Sequence, residues 1–96
     1  MLPDVLTTRQ PLDYVFVDGH HDEQATLAYF EQILPCLAET ALIVFDDIRW
    51  SEGMKRAWHT IAHDRRVGIA VDLGPVGLCV IDSSIAGHKY FSIPLN

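Results

Sequence analysis

The sequence predicts an α/β fold in which parallel strands are joined by crossover helices and followed by an antiparallel hairpin. Three observations carry this reading. Two short continuous apolar runs, residues 14–17 and 41–45, are rich in aromatic and β-branched residues, as strands buried on both faces are. Each run is followed by apolar residues at helical spacing. Two later strand-like runs, 67–73 and 76–81, are separated by the turn "GPVG", which is too short for a crossover.

The elements follow in order. After the first strand, Asp22 is placed to cap a helix whose stripe is Thr26, Phe30, Ile33, Leu34 and Leu37. Pro35 should end or kink that helix near Leu34, because proline lacks the donor and clashes with the preceding turn. The second strand is expected at residues 41–45. Ser51 offers the next cap, and Met54, Ala57, Trp58, Ile61 and Ala62 form one apolar stripe. Arg65 and Arg66 suit the negative end of that helix's dipole and read as a solvated helix end. Residues 67–73 alternate, which puts Val67, Ile69, Val71 and Leu73 on one face. The hairpin adds an antiparallel strand at the far edge of the sheet. The tail from Ser83 carries scattered aromatics and no clear pattern.

Bulk properties exclude several function classes. A hydrophobic content of 49% with 21% charged residues is that of a folding chain, not a disordered one. A formal net charge of −6 argues against nucleic acid, since phosphate binding needs a basic patch. No apolar run approaches the roughly 20 residues that span a bilayer, so no membrane role is expected. Cys36 and Cys79 lack any paired spacing and read as small buried hydrophobes in a reducing cytoplasm.

Both predicted parallel strands end on carboxylates, Asp18 after the first and Asp46 with Asp47 after the second. Ligands of open parallel sheets bind outside the carboxyl ends of the strands, so neighbouring strands would gather these acids on one rim. Such a cluster needs a cation, a proton or a donor to compensate it, and three carboxylates with waters suit Mg²⁺. A plain structural role is the alternative: Asp18 before Gly19 makes a good turn, and Asp47 can cap the next segment. His20 and His21 follow on the same rim, where one histidine could act as a general base near neutral pH. His59 and His63 have i, i+4 spacing but lie off the apolar stripe, which makes them a solvated helix face. Trp50 either lines a pocket or packs on the next helix.

At this point the residues resemble a known family. "DYVFVDGHH", the helix "DEQATLAYFEQILPCL" and then "ALIVFDDIRWSEGMKRAW" are similar to the second half of class I S-adenosylmethionine-dependent methyltransferases. The likeness is to the O-methyltransferase-like group whose fourth strand ends in Asp-Gly-x-His and whose fifth ends in Asp-Asp. It covers residues 12–81. The resemblance implies the carboxyl-terminal part of a Rossmann-like methyltransferase sheet. It implies that Asp18, Gly19 and His20 approach the methionine end of S-adenosylmethionine. His21 or Asp46 would be the catalytic base, and Asp18, Asp46 and Asp47 would hold Mg²⁺ or another divalent cation where one is used. The substrate would be a small-molecule methyl acceptor. Where relatives have a Gly-Gly turn before the second acidic strand, this chain reads "AETA".

None of the six glycines forms a G-x-G pattern, the usual cradle for the cofactor. Residues 1–96 are therefore expected to be a single partial methyltransferase domain without the amino-terminal cofactor-binding strands, inactive alone. Its first strand would be an apolar edge between Tyr14 and Val17, open to self-association or to a partner. The competing reading is a non-catalytic interaction module that retains half the fold. A phospho-aspartate receiver domain also pairs aspartates at a strand end, but its lysine is missing from "VGIAVDL" and "VGLCVID".

Overall fold

A computed structural model describes residues 12–18 and 22–93. Its elements are β1 (Leu12–Val17), α1 (Glu23–Ile33), β2 (Leu37–Phe45), α2 (Glu52–Ala62), β3 (Ile69–Asp72), β4 (Gly77–Asp82) and β5 (Lys89–Ser92), with a 3₁₀ turn at Leu34–Cys36. The five strands form one sheet in the order β1-β2-β4-β3-β5. β1 and β2 are parallel, joined by α1 as expected. β4 is antiparallel to both β2 and β3.

Local sequence explains both helices. Asp22 accepts a hydrogen bond from the Ala25 amide at 2.7 Å and starts α1. Pro35 then tightens the chain into the 3₁₀ turn, whose residues feed directly into β2. Ser51 accepts from the Met54 amide at 3.1 Å and starts α2. The five stripe residues of α2, Met54, Ala57, Trp58, Ile61 and Ala62, are all buried.

Both helices cover the same face of the sheet. Val15, Ile43, Cys79 and Ala70 form one row across β1, β2, β4 and β3, and Val17, Phe45, Gly77 and Asp72 form the next. These rows meet Phe30 and Ile33 of α1 and Trp58, Ile61 and Ala62 of α2 in one core. Full burial of each large side chain contributes about 1.5–3 kcal/mol, so this layer dominates the stability of the fold. The indole of Trp58 lies 6.0 Å from the Phe45 ring and directly over Gly77. A Cβ at Gly77 would sit 2.5 Å from the indole carbons, so only glycine permits this approach. Between the helices, Thr26 donates its hydroxyl to the Met54 sulfur at 3.1 Å. Arg66 links the turn after α2 to Glu31 of α1 at 2.9 Å, and its guanidinium lies 5.4 Å from the Phe30 ring centre.

Four expectations are corrected. β2 begins at Leu37, so Leu37 is a strand residue rather than a helix residue, and "AETA" lies inside the strand rather than in a loop. The antiparallel strand is not at the far edge: β4 threads between β2 and β3, because the hairpin folds back into the sheet beside β2. The edge is β5, from the tail, which pairs parallel to β3. In β3, Ile69 and Val71 share one face as their alternation placed them, and that face is the one no described helix covers, while Ala70 and Asp72 are buried beneath the helices. Cys36 is only half-buried, whereas Cys79 is wholly buried.

Candidate functional site

The carboxyl ends of β1 and β2 meet at one rim. Val17 and Phe45 are partners in the ladder, and the Asp46 amide donates to the Val17 carbonyl at 2.9 Å. The next residues, Asp18 on one strand and Asp46 on the other, therefore leave the sheet side by side. Asp18 is exposed, while Asp46 and Asp47 are half-buried. Asp47 adopts a left-handed backbone, φ 52°, unusual for a residue with a side chain although aspartate tolerates it better than most. That kink turns the chain away from the strand direction immediately after Asp46. Its carbonyl then accepts from the Trp50 amide at 2.9 Å, closing a tight turn.

The turn is tied to the hairpin on its other side. The Ile48 amide donates to the Pro75 carbonyl at 3.0 Å, and the Ile48 side chain is buried. Arg49 reaches Asp72 with two parallel hydrogen bonds, Nη1 to Oδ1 at 3.0 Å and Nη2 to Oδ2 at 3.1 Å. It also donates to the Gly74 carbonyl. Asp72 is 4% exposed and accepts two further bonds, from the Gly74 amide at 2.8 Å and the Tyr90 hydroxyl at 3.3 Å. Burial pushes the Asp72 carboxyl up. The Arg49 hydrogen bonds, the Gly74 amide, the Arg49 charge and the Tyr90 hydroxyl outweigh it and hold the group below the usual carboxylate range. Tyr90 responds in the opposite sense, its phenol raised by burial and by the neighbouring Asp72 charge. A cavity of about 220 Å³ opens beside this brace, lined among others by Ile48, Arg49, Trp58 and Tyr90. A larger one of about 570 Å³, near Arg65, Ser83 and His88, lies at the opposite end of the strands.

The structure thus brings Asp18, Asp46 and Asp47 to one rim. Gly19, His20 and His21 lie outside the described residues. Asp18 and Asp47 each engage in interactions of their own. Among the described residues, no three His, Cys, Asp or Glu side chains form a group that could hold a metal ion. Asp18 and Asp46 follow partnered ladder residues, and the left-handed turn at Asp47 redirects the chain immediately after them. Trp50 is 59% exposed. His59 and His63 lie on the exposed face of α2, and the His63 ring stacks on Tyr90 with centroids 4.9 Å apart. No described helix is long and apolar enough to cross a membrane.

The brace of Arg49, Asp72 and Tyr90 was not singled out from the sequence. One signal was present: an aspartate at the inward parity of a strand must find a partner, and Arg49 follows the acidic turn. Residues 1–48 match the model of a family described as a methyltransferase domain. No curated protein and no solved structure matches the chain.

Proposed function

With that match spanning residues 1–48 of 96, half its length, the chain belongs to the methyltransferase-domain family, and we propose that it serves O-methyl transfer from S-adenosylmethionine to a small-molecule hydroxyl. The observation that carries the proposal is the rim at the carboxyl ends of β1 and β2, where Asp18 and Asp46 leave paired strands side by side. Bound S-adenosylmethionine would supply a methyl group on a positively charged sulfur. Asp18, with Gly19 and His20, would approach the methionine end of that molecule. Asp46 is the rim carboxylate best held for a base: its amide is fixed to β1, and the Arg49–Asp72 brace anchors the turn that follows it. It would accept the hydroxyl proton as the acceptor oxygen attacks, and His21 is the other base. Most of the rate would come from holding nucleophile and methyl in line, which the braced turn favours. No step is routed through a divalent cation.

None of the chain's six glycines forms a G-x-G pattern, so weak cofactor binding by this chain is the expected outcome. Titrating the isotope-labelled chain with S-adenosylmethionine, and in parallel with ATP, tests this by amide chemical shifts. Weak, millimolar-range changes at Asp18, Asp46 and Asp47, produced by S-adenosylmethionine and not by ATP, are expected. Changes confined to the opposite end of the strands, or none at all, would overturn the reading.

A further inference from the structure

The two edges of the sheet are built differently. β5 is four residues long, begins with Lys89 and is exposed throughout, the features by which proteins protect an edge from unwanted pairing. β1 has no basic residue or proline among Tyr14, Val15, Phe16 and Val17. Its other edge is unpaired among the described residues. Two aromatic side chains flank it on the face without helices, Tyr14 55% and Phe16 53% exposed.

The backbone shows which groups this edge presents. The Val17 carbonyl accepts from Asp46 and so points toward β2. Backbone groups alternate sides along a strand, so those of Val15 also face β2, while those of Tyr14 and Phe16 face outward. A register shift between Leu12 and Tyr14 marks where the regular ladder begins. We propose that this edge pairs with the same edge of a second copy of the chain, antiparallel about a two-fold axis at Val15. That register puts Tyr14 opposite Phe16 of the partner, and the outward N–H and C=O of each residue meet those of the other in both directions. It also sets the two aromatic pairs directly across from one another, a favourable cross-strand combination. Asp13 falls opposite Val17 and Asp18 opposite Leu12, so no two carboxylates face each other. The sequence of the strand is therefore self-complementary in hydrogen bonding and side-chain size, with no carboxylate directly opposite another.

A strand edge of this length falls short of the roughly 1,000 Å² typical of stable interfaces, so the dimer is weak and concentration-dependent. The chain's net charge of −6 makes two copies repel, and added salt screens that repulsion. This inference is independent of the methyl-transfer reading, since it uses neither the rim nor the cofactor.

Sedimentation velocity of the whole chain from about 1 to 500 µM should show monomer passing to dimer, with the transition moving to lower concentration in higher salt. Amide exchange should show the Tyr14 and Phe16 protons gaining protection with concentration, while those of Val15 and Val17 are protected throughout. Phe16→Pro removes only an outward donor and should weaken association at least tenfold with the β1–β2 ladder kept. Phe16→Lys, a gentler change to the backbone, should do the same. Val71→Lys, on the same face but away from the edge, should leave association unchanged. Loss of association in Val71→Lys means that the faces stack instead, and overturns the proposal. A monomer at every concentration also overturns it. Concentration-independent protection of Tyr14 and Phe16 in such a monomer would show that the chain's own residues 1–11 cover the edge.

Discussion

Removing Arg49 is the most informative single perturbation of the site, because one guanidinium ties the acidic turn to a buried carboxylate. In Arg49→Ala, Asp72 keeps the Gly74 amide and the Tyr90 hydroxyl but loses two charge-assisted bonds. Breaking a fully buried pair costs about 3–5 kcal/mol. Here the Arg49 side chain is 52% exposed against 6% for Asp72, so water screens much of the attraction and the cost falls to about 1–2 kcal/mol. For a chain of this size that lowers Tm by about 5–15 °C. Arg49→Lys keeps the charge but loses the two-pronged geometry and should recover less than half. In a double-mutant cycle with Asp72→Ala, thermal or urea unfolding should give a coupling of about 1 kcal/mol. The pH dependence has a definite sign. The folded carboxyl of Asp72 lies below its ordinary value near 3.8. The stabilisation is therefore fully present above about pH 4 and is lost as pH falls through the lowered folded value. The gap between wild type and Arg49→Ala should be constant from about pH 6 to 8 and shrink on acidification below 4. Singles within ~0.5 kcal/mol of wild type, no coupling, or a gap that widens in acid would refute the brace.

Two other outcomes follow from the packing. Gly77→Ala places a methyl group 2.5 Å from the Trp58 indole and should destabilise by about 1–3 kcal/mol, with part of the loss restored by Trp58→Leu, measured by urea unfolding. Burial pushes the Cys79 thiol up to about 12, so a thiol reagent at pH 8 should titrate Cys36 rapidly and Cys79 only after denaturant is added; two fast thiols in the native state would contradict the core as described.

Local pattern decided a large part of this structure. Asp22 and Ser51 cap the helices they were expected to cap, and Pro35 ends α1 where its ring forbids continuation. The stripe of α2 is buried residue for residue, since helical period and burial are the same information once a helix has only one face to bury. The two acidic strand ends were likewise legible, because parallel strands must deliver their carboxyl ends to one side. What the pattern could not decide was anything depending on which element lies beside which. Alternation put Ile69 and Val71 of β3 on one face, but only the position of the helices made Ala70 and Asp72 the buried pair. The position of β4 between β2 and β3 depends on pairing across more than thirty residues of chain, for instance Ile43 with Cys79. The brace of Arg49, Asp72 and Tyr90 joins three separate elements and leaves no spacing to read. The left-handed turn at Asp47, which redirects the chain right after the second acidic strand end, likewise had no spacing to announce it. Sequence determined the elements and the chemistry at their ends because those are local properties of the chain. Only the tertiary structure decided faces, neighbours and side-chain directions, because each depends on residues far away in sequence.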